Sequence, residues 1–245
     1  MTVTRSRYGA AGRRRKMGVT GRLLLAVAAC GAILAAGCTP QQALVGSLLP
    51  GGTVPVLLSH LDRLDDRNRR QIIELEKKGD WRGLAKFAEA NLAKDAWNAD
   101  WWMVAGYAYT QLNEHHRAAE SYAETVRLAP DQALGWNLLA QSYRSAGQPT
   151  DAVRTLQNAL LVRRDSATTF YLLGESYRDL RRDVEAVGSY QEAVRLQGTL
   201  AHAWLGMGRA YARLGRADEV GKVRQVLEKL DPVLARELGA PPPAR

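Results

Sequence analysis

The sequence predicts an all-α solenoid of antiparallel helix pairs, and three observations predict it. Aromatic residues recur at one interval of 34: Trp102, Trp136, Phe170 and Trp204, then Tyr109, Tyr143, Tyr177 and Tyr211. A small residue stands between the members of each pair, at Gly106, Ala140, Gly174 and Gly208. The pattern fades at both ends, as the outer units of a stack must when one of their faces meets water. A unit of this length holds two helices and a turn but cannot bury its own apolar face, so stability comes from the interfaces between units.

The chain has 245 residues and a formal net charge of +9. Seven basic residues and no acid fall in 1–37, which leaves 27 basic against 25 acidic residues for 38–245. The folded body is nearly neutral, which argues against a nucleic-acid partner. Cys30 and Cys38 are the two cysteines, too few for a disulfide framework or a cysteine-rich zinc site.

Residues 1–22 are polar and basic, and Leu23–Ala36 is uncharged and rich in Leu and Ala. This pattern predicts a secretory signal peptide over 1–37. Fourteen residues span about 21 Å as a helix, short of the ~30 Å hydrocarbon core, so cleavage is favoured over an uncleaved inner-membrane helix. Leu34-Ala35-Ala36-Gly37-Cys38 resembles the lipobox of bacterial lipoproteins, with Ala35 where Leu is usual. The resemblance implies that Cys38 is the lipidation site and that acyl chains hold the protein at a membrane. Val27-Ala28-Ala29-Cys30 fits the short pattern too, but it leaves an apolar region of only seven residues. Thr39 after the cysteine favours outer-membrane sorting under enterobacterial rules. Residues 38–58 contain no charge and include Pro50-Gly51-Gly52, so they read as a flexible tether.

Residues 59–98 follow as a helical pair, with Leu61–Lys78 and Trp81–Lys94 on either side of Gly79-Asp80. Asp62, Asp65 and Asp66 alternate with Arg63, Arg67, Arg69 and Arg70, which predicts a solvated helix face laced by local ion pairs. Residues 99–238 hold four further units and a short capping helix at Pro232–Leu238, and 239–245 form a proline-rich tail. Within each unit the apolar residues at positions 4, 7, 8 and 11 make one stripe on the first helix. Small residues at positions 8 and 20, the latter Ala118, Ala152, Ala186 and Val220, let the two helices approach. Gly147-Gln148-Pro149 and Leu214-Gly215-Arg216 mark turns between first and second helices. Arg224 stands at an otherwise apolar position of the last unit and predicts an outer face turned to water.

Trp136-Asn137-Leu138-Leu139-Ala140-Gln141-Ser142-Tyr143 and Phe170-Tyr171-Leu172-Leu173-Gly174-Glu175-Ser176-Tyr177 resemble the tetratricopeptide repeat (TPR) signature. The resemblance covers 99–232 and extends more weakly to 65–98. It implies a concave groove lined by positions 2, 5, 9, 12 and 13 of the first helices, where a protein or peptide partner binds. The groove residues are then Tyr107, Asn137, Gln141, Arg144, Tyr171, Glu175, Arg178, His202, Arg209 and Arg213. Read by sign, the stripe begins aromatic and neutral and becomes net positive, which predicts a ligand with an acidic or carboxylate-bearing end. No unit carries the Lys and Asn pair by which one TPR class clamps chaperone C-termini.

No catalytic constellation, cofactor motif or metal site is evident. His115-His116 are adjacent residues that cannot share a helix face as an i, i+4 pair would, and they are placed in a turn. Trp101-Trp102 invites comparison with a cofactor platform, but Trp102 is assigned to the repeat core. The expectation is a non-enzymatic, lipid-anchored TPR scaffold of the cell envelope, on the periplasmic face of the outer membrane. Its partners would belong to envelope or secretion and pilus assembly. The alternative is an accessory factor or minor enzyme of cell-wall metabolism.

Overall fold

A computed structural model describes residues 57–239, and the predicted signal peptide, Cys30, Cys38 and most of the tether lie outside them. The described residues form eleven α-helices and no strand. In order they are α1 (Asp66–Lys77), α2 (Trp81–Leu92), α3 (Ala99–Gln111), α4 (His115–Leu128), α5 (Ala133–Ser145) and α6 (Pro149–Val162). These are followed by α7 (Ala167–Asp179), α8 (Asp183–Leu196), α9 (Ala201–Arg213), α10 (Ala217–Leu230) and α11 (Pro232–Glu237). Each helix from α2 to α11 packs on the helix before it. None is long and apolar enough to cross a membrane.

The turns repeat as the helices do. Gly79, Asn113, Gly147, Arg181 and Gly215 all have positive φ, between 59° and 75°, and each follows its predecessor by 34 residues. At each turn the next residue's N–H reaches back to a carbonyl five residues earlier, as in Gln148 to Tyr143 and Arg182 to Tyr177. This left-handed stop closes the first helix and starts the second. Because Gly79 belongs to the same ladder, 65–98 is a repeat in its backbone although its first helix lacks the aromatic signature.

The small residues do what the period requires. Ala118, Ala152 and Ala186 are fully buried at the crossing of first and second helices. A Cβ on Gly106 would stand 2.7 Å from the Tyr122 ring, and one on Gly174 would stand 2.6 Å from the Tyr190 ring. The aromatic at position 24 therefore lies directly on the glycine at position 8. The tryptophans at position 4 behave differently from the expectation. Trp102 is half-buried, and its indole N–H donates to the Ala96 carbonyl at 2.8 Å. Trp136 and Trp204 repeat that bond six residues back, to Pro130 and Gly198. These three staple their units to the loop before, while Trp101 is the buried residue, edge-on to Phe87 at 5.3 Å.

The two ends depart from the expected pattern. The first helix begins at Asp66 and not at Leu61, because the Asp65 carboxylate accepts from the Asn68 N–H as an N-cap. Ahead of it Leu57, Leu61 and Leu64 are buried, so the body reaches back into the stretch read as tether. Arg69 does not pair with an acid; its guanidinium donates to the carbonyls of Leu58, Leu61 and Leu64. At the far end α11 packs on α9 and α10, and a Cβ on Gly208 would stand 2.7 Å from the Leu238 side chain. Leu238 thus occupies the place that Tyr122 and Tyr190 take in their units. Arg224, at that same position 24, is half-buried beneath the cap instead of facing open water.

Candidate functional site

The face formed by positions 2, 5, 9, 12 and 13 runs along α3, α5, α7 and α9. Its exposure is uneven. Met103, Tyr171 and Leu205 at position 5 are buried, as are Tyr107, Gln141 and Glu175 at position 9. At positions 2, 5 and 9 half-exposed residues remain at Leu134, Asn137, Thr168 and His202, and Arg209 is exposed; positions 12 and 13 are half-exposed or exposed throughout. The groove assignments of Tyr107, Gln141, Tyr171 and Glu175 therefore place core residues where ligand contacts were expected. The physical reason is that α7 touches both α5 and α9, and Trp81 of α2 covers Tyr107, so each unit covers part of its neighbour's stripe.

At the first unit the stripe is closed. Asp100, at position 2, is 1% exposed and accepts the Arg63 backbone N–H at 2.7 Å. Burial raises its pKa, against the opposing influence of that bond and of the Arg63 charge. Tyr107 lies edge-on to Trp81 with ring centroids 5.8 Å apart. Burial also raises the pKa of Glu76, and a hydrogen bond from Tyr107 opposes the shift.

In the middle of the stack the polar stripe residues converge. Glu175 Oε1 accepts from the Tyr190 hydroxyl at 2.5 Å, and Oε2 lies 2.7 Å from Arg178 and 3.4 Å from Arg144. Arg144 also reaches Asp179 at 2.8 Å. The Glu175 and Arg144 side chains are only 5% and 11% exposed, while Arg178 and Asp179 lie nearer the surface, so two positive and two negative charges meet around a buried carboxylate. Burial would lower the Arg178 pKa, but the Glu175 charge, followed by the charge of and hydrogen bond to Asp179, outweighs it and the net shift is upward. Burial followed by the Glu175 charge pushes the pKa of Tyr190 and Tyr171 well up, so both phenols stay neutral.

The remaining arginines are compensated too. Arg213 grips Asp183 through Nε at 2.8 Å and through Nη2, which ties α9 to the start of α8. Arg209 lies 3.1 Å from Glu237 on the capping helix. The predicted net-positive end of the groove is thus corrected: all four arginines have acidic partners within the chain. Asn137 accepts from the Thr169 hydroxyl at 3.0 Å, and His202 is half-exposed. The sequence reading missed Tyr190, Asp183 and Glu237 as partners. Spacing holds part of the missing signal, because position 12 of one unit meets position 9 of the next. Glu76 with Tyr107 and Arg144 with Glu175 are both 31 residues apart.

His115 and His116 occupy the first turn of α4 and not the turn before it. Burial and the neighbouring His116 lower the His115 pKa, so it is neutral at the helix N-terminus where a cation is disfavoured. Among the described residues no three His, Cys, Asp or Glu side chains are grouped to hold a metal ion.

Two tetratricopeptide repeat profiles match the sequence, over residues 99–132 and 137–201. The chain carries tetratricopeptide repeats over these residues. Solved structures agree with that fold. A crystal structure of MamA matches with a TM-score of 0.63 and 21% identity, covering 71% of this chain and 99% of that one. YrrB, described as a TPR protein with an unusual peptide-binding site, matches at 0.58 and 15% identity, covering 75% and 96%. TTC0263, a thermophilic TPR protein of Thermus thermophilus, matches at 0.53 and 20%, covering 70% and 95%. No curated protein has a significant sequence match. The TPR fold is a protein-interaction scaffold, and the matched repeats include every residue of the Glu175 cluster.

Proposed function

We propose that this chain is a lipid-anchored extracytoplasmic scaffold that binds a protein partner along its first-helix face. Cleavage before Cys38 and acylation of that thiol would hold the chain at the periplasmic face of the outer membrane. The partner would belong to an envelope, secretion or pilus assembly. The observation that carries the binding reading is the half-exposed ladder Leu134, Asn137, Thr168 and His202 beside arginines already matched to acids. Such a surface favours an extended or helical segment recognised by apolar contact and hydrogen bonds. A strongly acidic segment would have to compete with Glu175, Asp179, Asp183 and Glu237 for the arginines. The anchoring rests on the resemblance of Leu34–Cys38 to a lipobox.

One experiment addresses both halves. Cells grown with a fatty-acid probe express the wild type, Cys38→Ser, Cys30→Ser, Thr168→Arg with His202→Glu, and Arg195→Glu. Partners are then captured from solubilised envelopes. Label should vanish only in Cys38→Ser, and capture should fail in the Thr168/His202 double variant but survive Arg195→Glu. Label retained in Cys38→Ser, or capture unaffected by the double variant, would overturn the corresponding half.

A further inference from the structure

We propose that the capping end of the stack contains a second binding site, a cleft at Arg224 that receives a carboxylate carried on a short apolar body. Arg224 lines an open cleft of ≈ 450 Å³ together with Glu228, Pro232, Ala235, Arg236 and Gly239. That volume falls within the usual range for small-ligand sites. The site lies on α10 and α11, away from the first-helix face, and does not depend on the scaffold reading.

The unusual feature is the state of the arginine. Its Nε and Nη2 are shielded from solvent and make no hydrogen bond. Leaving buried donors of a charged group unsatisfied is costly, and chains rarely retain them without a partner. Glu228 stands one helical turn beyond Arg224, at the i, i+4 spacing that suits an ion pair, yet the two are not paired among the described residues. Other arginines here, including Arg117, Arg127, Arg154, Arg182 and Arg195, each hold a carboxylate within a turn of helix.

The geometry of the free atoms selects the ligand. Nε and Nη2 form one edge of the guanidinium and present two parallel N–H donors, the arrangement that meets both oxygens of a carboxylate. Arg182 and Arg213 already use the same edge, toward Glu185 and Asp183. Because the edge is closed to bulk water, engagement requires the Arg224 side chain to turn into the cleft it lines. Arg236 adds a second positive charge and Glu228 subtracts one, so the lining is net +1 and suits a monoanion better than a phosphate dianion. Pro232, Ala235 and Gly239 offer apolar surface to the rest of the molecule.

The test is calorimetric titration of the full-length chain with 4-methylpentanoate, 4-methylpentanamide and inorganic phosphate at matched ionic strength. A second arm uses a tripeptide ending in leucine, with a free or an amidated C-terminus, to distinguish a small acid from a chain terminus. At least one free acid should bind saturably, and its amide should bind about tenfold or more weakly, since an amide cannot accept both parallel donors. Arg224→Lys should weaken binding by about tenfold with helix content unchanged, because an ammonium lacks the fork. Equal binding of acid and amide, phosphate binding as tightly as the acids, or no saturable binding of either acid overturns the proposal. If Arg224→Lys fails to fold, the acid and amide comparison on the wild type decides the matter alone.

Discussion

The Tyr190 hydroxyl donates to Glu175 Oε1 at 2.5 Å, joining the second helix of the third full repeat to its first. The Tyr190 ring is held on two sides by glycine. A Cβ on Gly174 would stand 2.6 Å from the ring, and one on Gly206 of α9 would also stand 2.6 Å away. One side chain therefore packs against both neighbouring first helices and satisfies a buried acid. Arg144 brings the preceding repeat to the same carboxylate. Two consecutive units meet at Glu175 and the Tyr190 ring brings in a third, so the cluster fixes their register as well as their contact.

Tyr190→Phe keeps the ring and removes the donor. Glu175 then relies on Arg178 and the longer contact to Arg144, so the change should destabilise by about 1–3 kcal/mol. Urea unfolding followed by helix signal measures it. An unchanged midpoint would mean that Glu175 does not depend on the phenol.

The ladder of left-handed turn residues predicts a stabilising substitution. Gly79, Gly147 and Gly215 adopt positive φ without a Cβ penalty, but Arg181 adopts φ 59° as a bulky residue. Its guanidinium forms no close ion pair among the described residues and acts on Asp183 only as a weaker charge behind Arg213, so little is lost with it. Arg181→Gly should raise stability by roughly 0.5–1 kcal/mol, the relief of left-handed strain less the added unfolded-state entropy. Gly147→Ala should lower it by a similar amount. A lower thermal midpoint for Arg181→Gly would show that the side chain contributes a contact worth more than the strain.

Much of this fold is legible because the period is a property of single units. Gly at position 8 and Ala at position 20 report the contact between the two helices of one repeat, and the structure places them there, whereas Trp at position 4 and Tyr at position 11 bond back to the preceding loop and helix. Tyr107 and Glu175 read as ligand contacts because partners such as Trp81 and Arg144 belong to neighbouring units, which a pattern within a unit does not encode. Asn113 and Arg181 hide two turns for a similar reason: the backbone demands positive φ, but only Gly announces it. Arg224 reads as a polar end cap until α11 is seen to lie over the same position. Sequence thus reveals the pairs well and the seams between them poorly.

The Arg213–Asp183 contact gives a pH signature. Hydrogen bonding to Arg213 holds the Asp183 pKa below its ordinary 3.8, with burial opposing. A lowered folded-state pKa means that the ionised acid stabilises the fold above about pH 4. That contribution is lost as pH falls through the folded pKa, where the native carboxylate finally takes up its proton. Asp183→Asn should therefore lower the thermal midpoint relative to wild type at pH 6, and the gap should close as pH falls below 3.8 and through the folded-state pKa. A gap that persists unchanged in acid would assign the loss to packing or to the start of α8.

The last prediction separates arginines that hold the stack from side chains that contact a partner. Arg178 shares Glu175 with Arg144, so Arg178→Ala leaves a buried acid undercompensated. The cost should be roughly 2–4 kcal/mol, because an unmatched buried charge is expensive. Arg209 pairs with Glu237 where both side chains are more than 40% exposed. Solvent screens that pair, and Arg209→Ala should cost about 0.5 kcal/mol or less. Partner capture must be read against this difference. Loss of capture in Arg178→Ala that is recovered on cooling reflects a loosened stack, not a lost contact. His202→Ala and Asn137→Ala should instead weaken capture at every temperature with little change in unfolding midpoint. If both leave capture intact while Arg209→Ala abolishes it, recognition is ionic and centred on the capping end, and the uncharged ladder is not the binding surface.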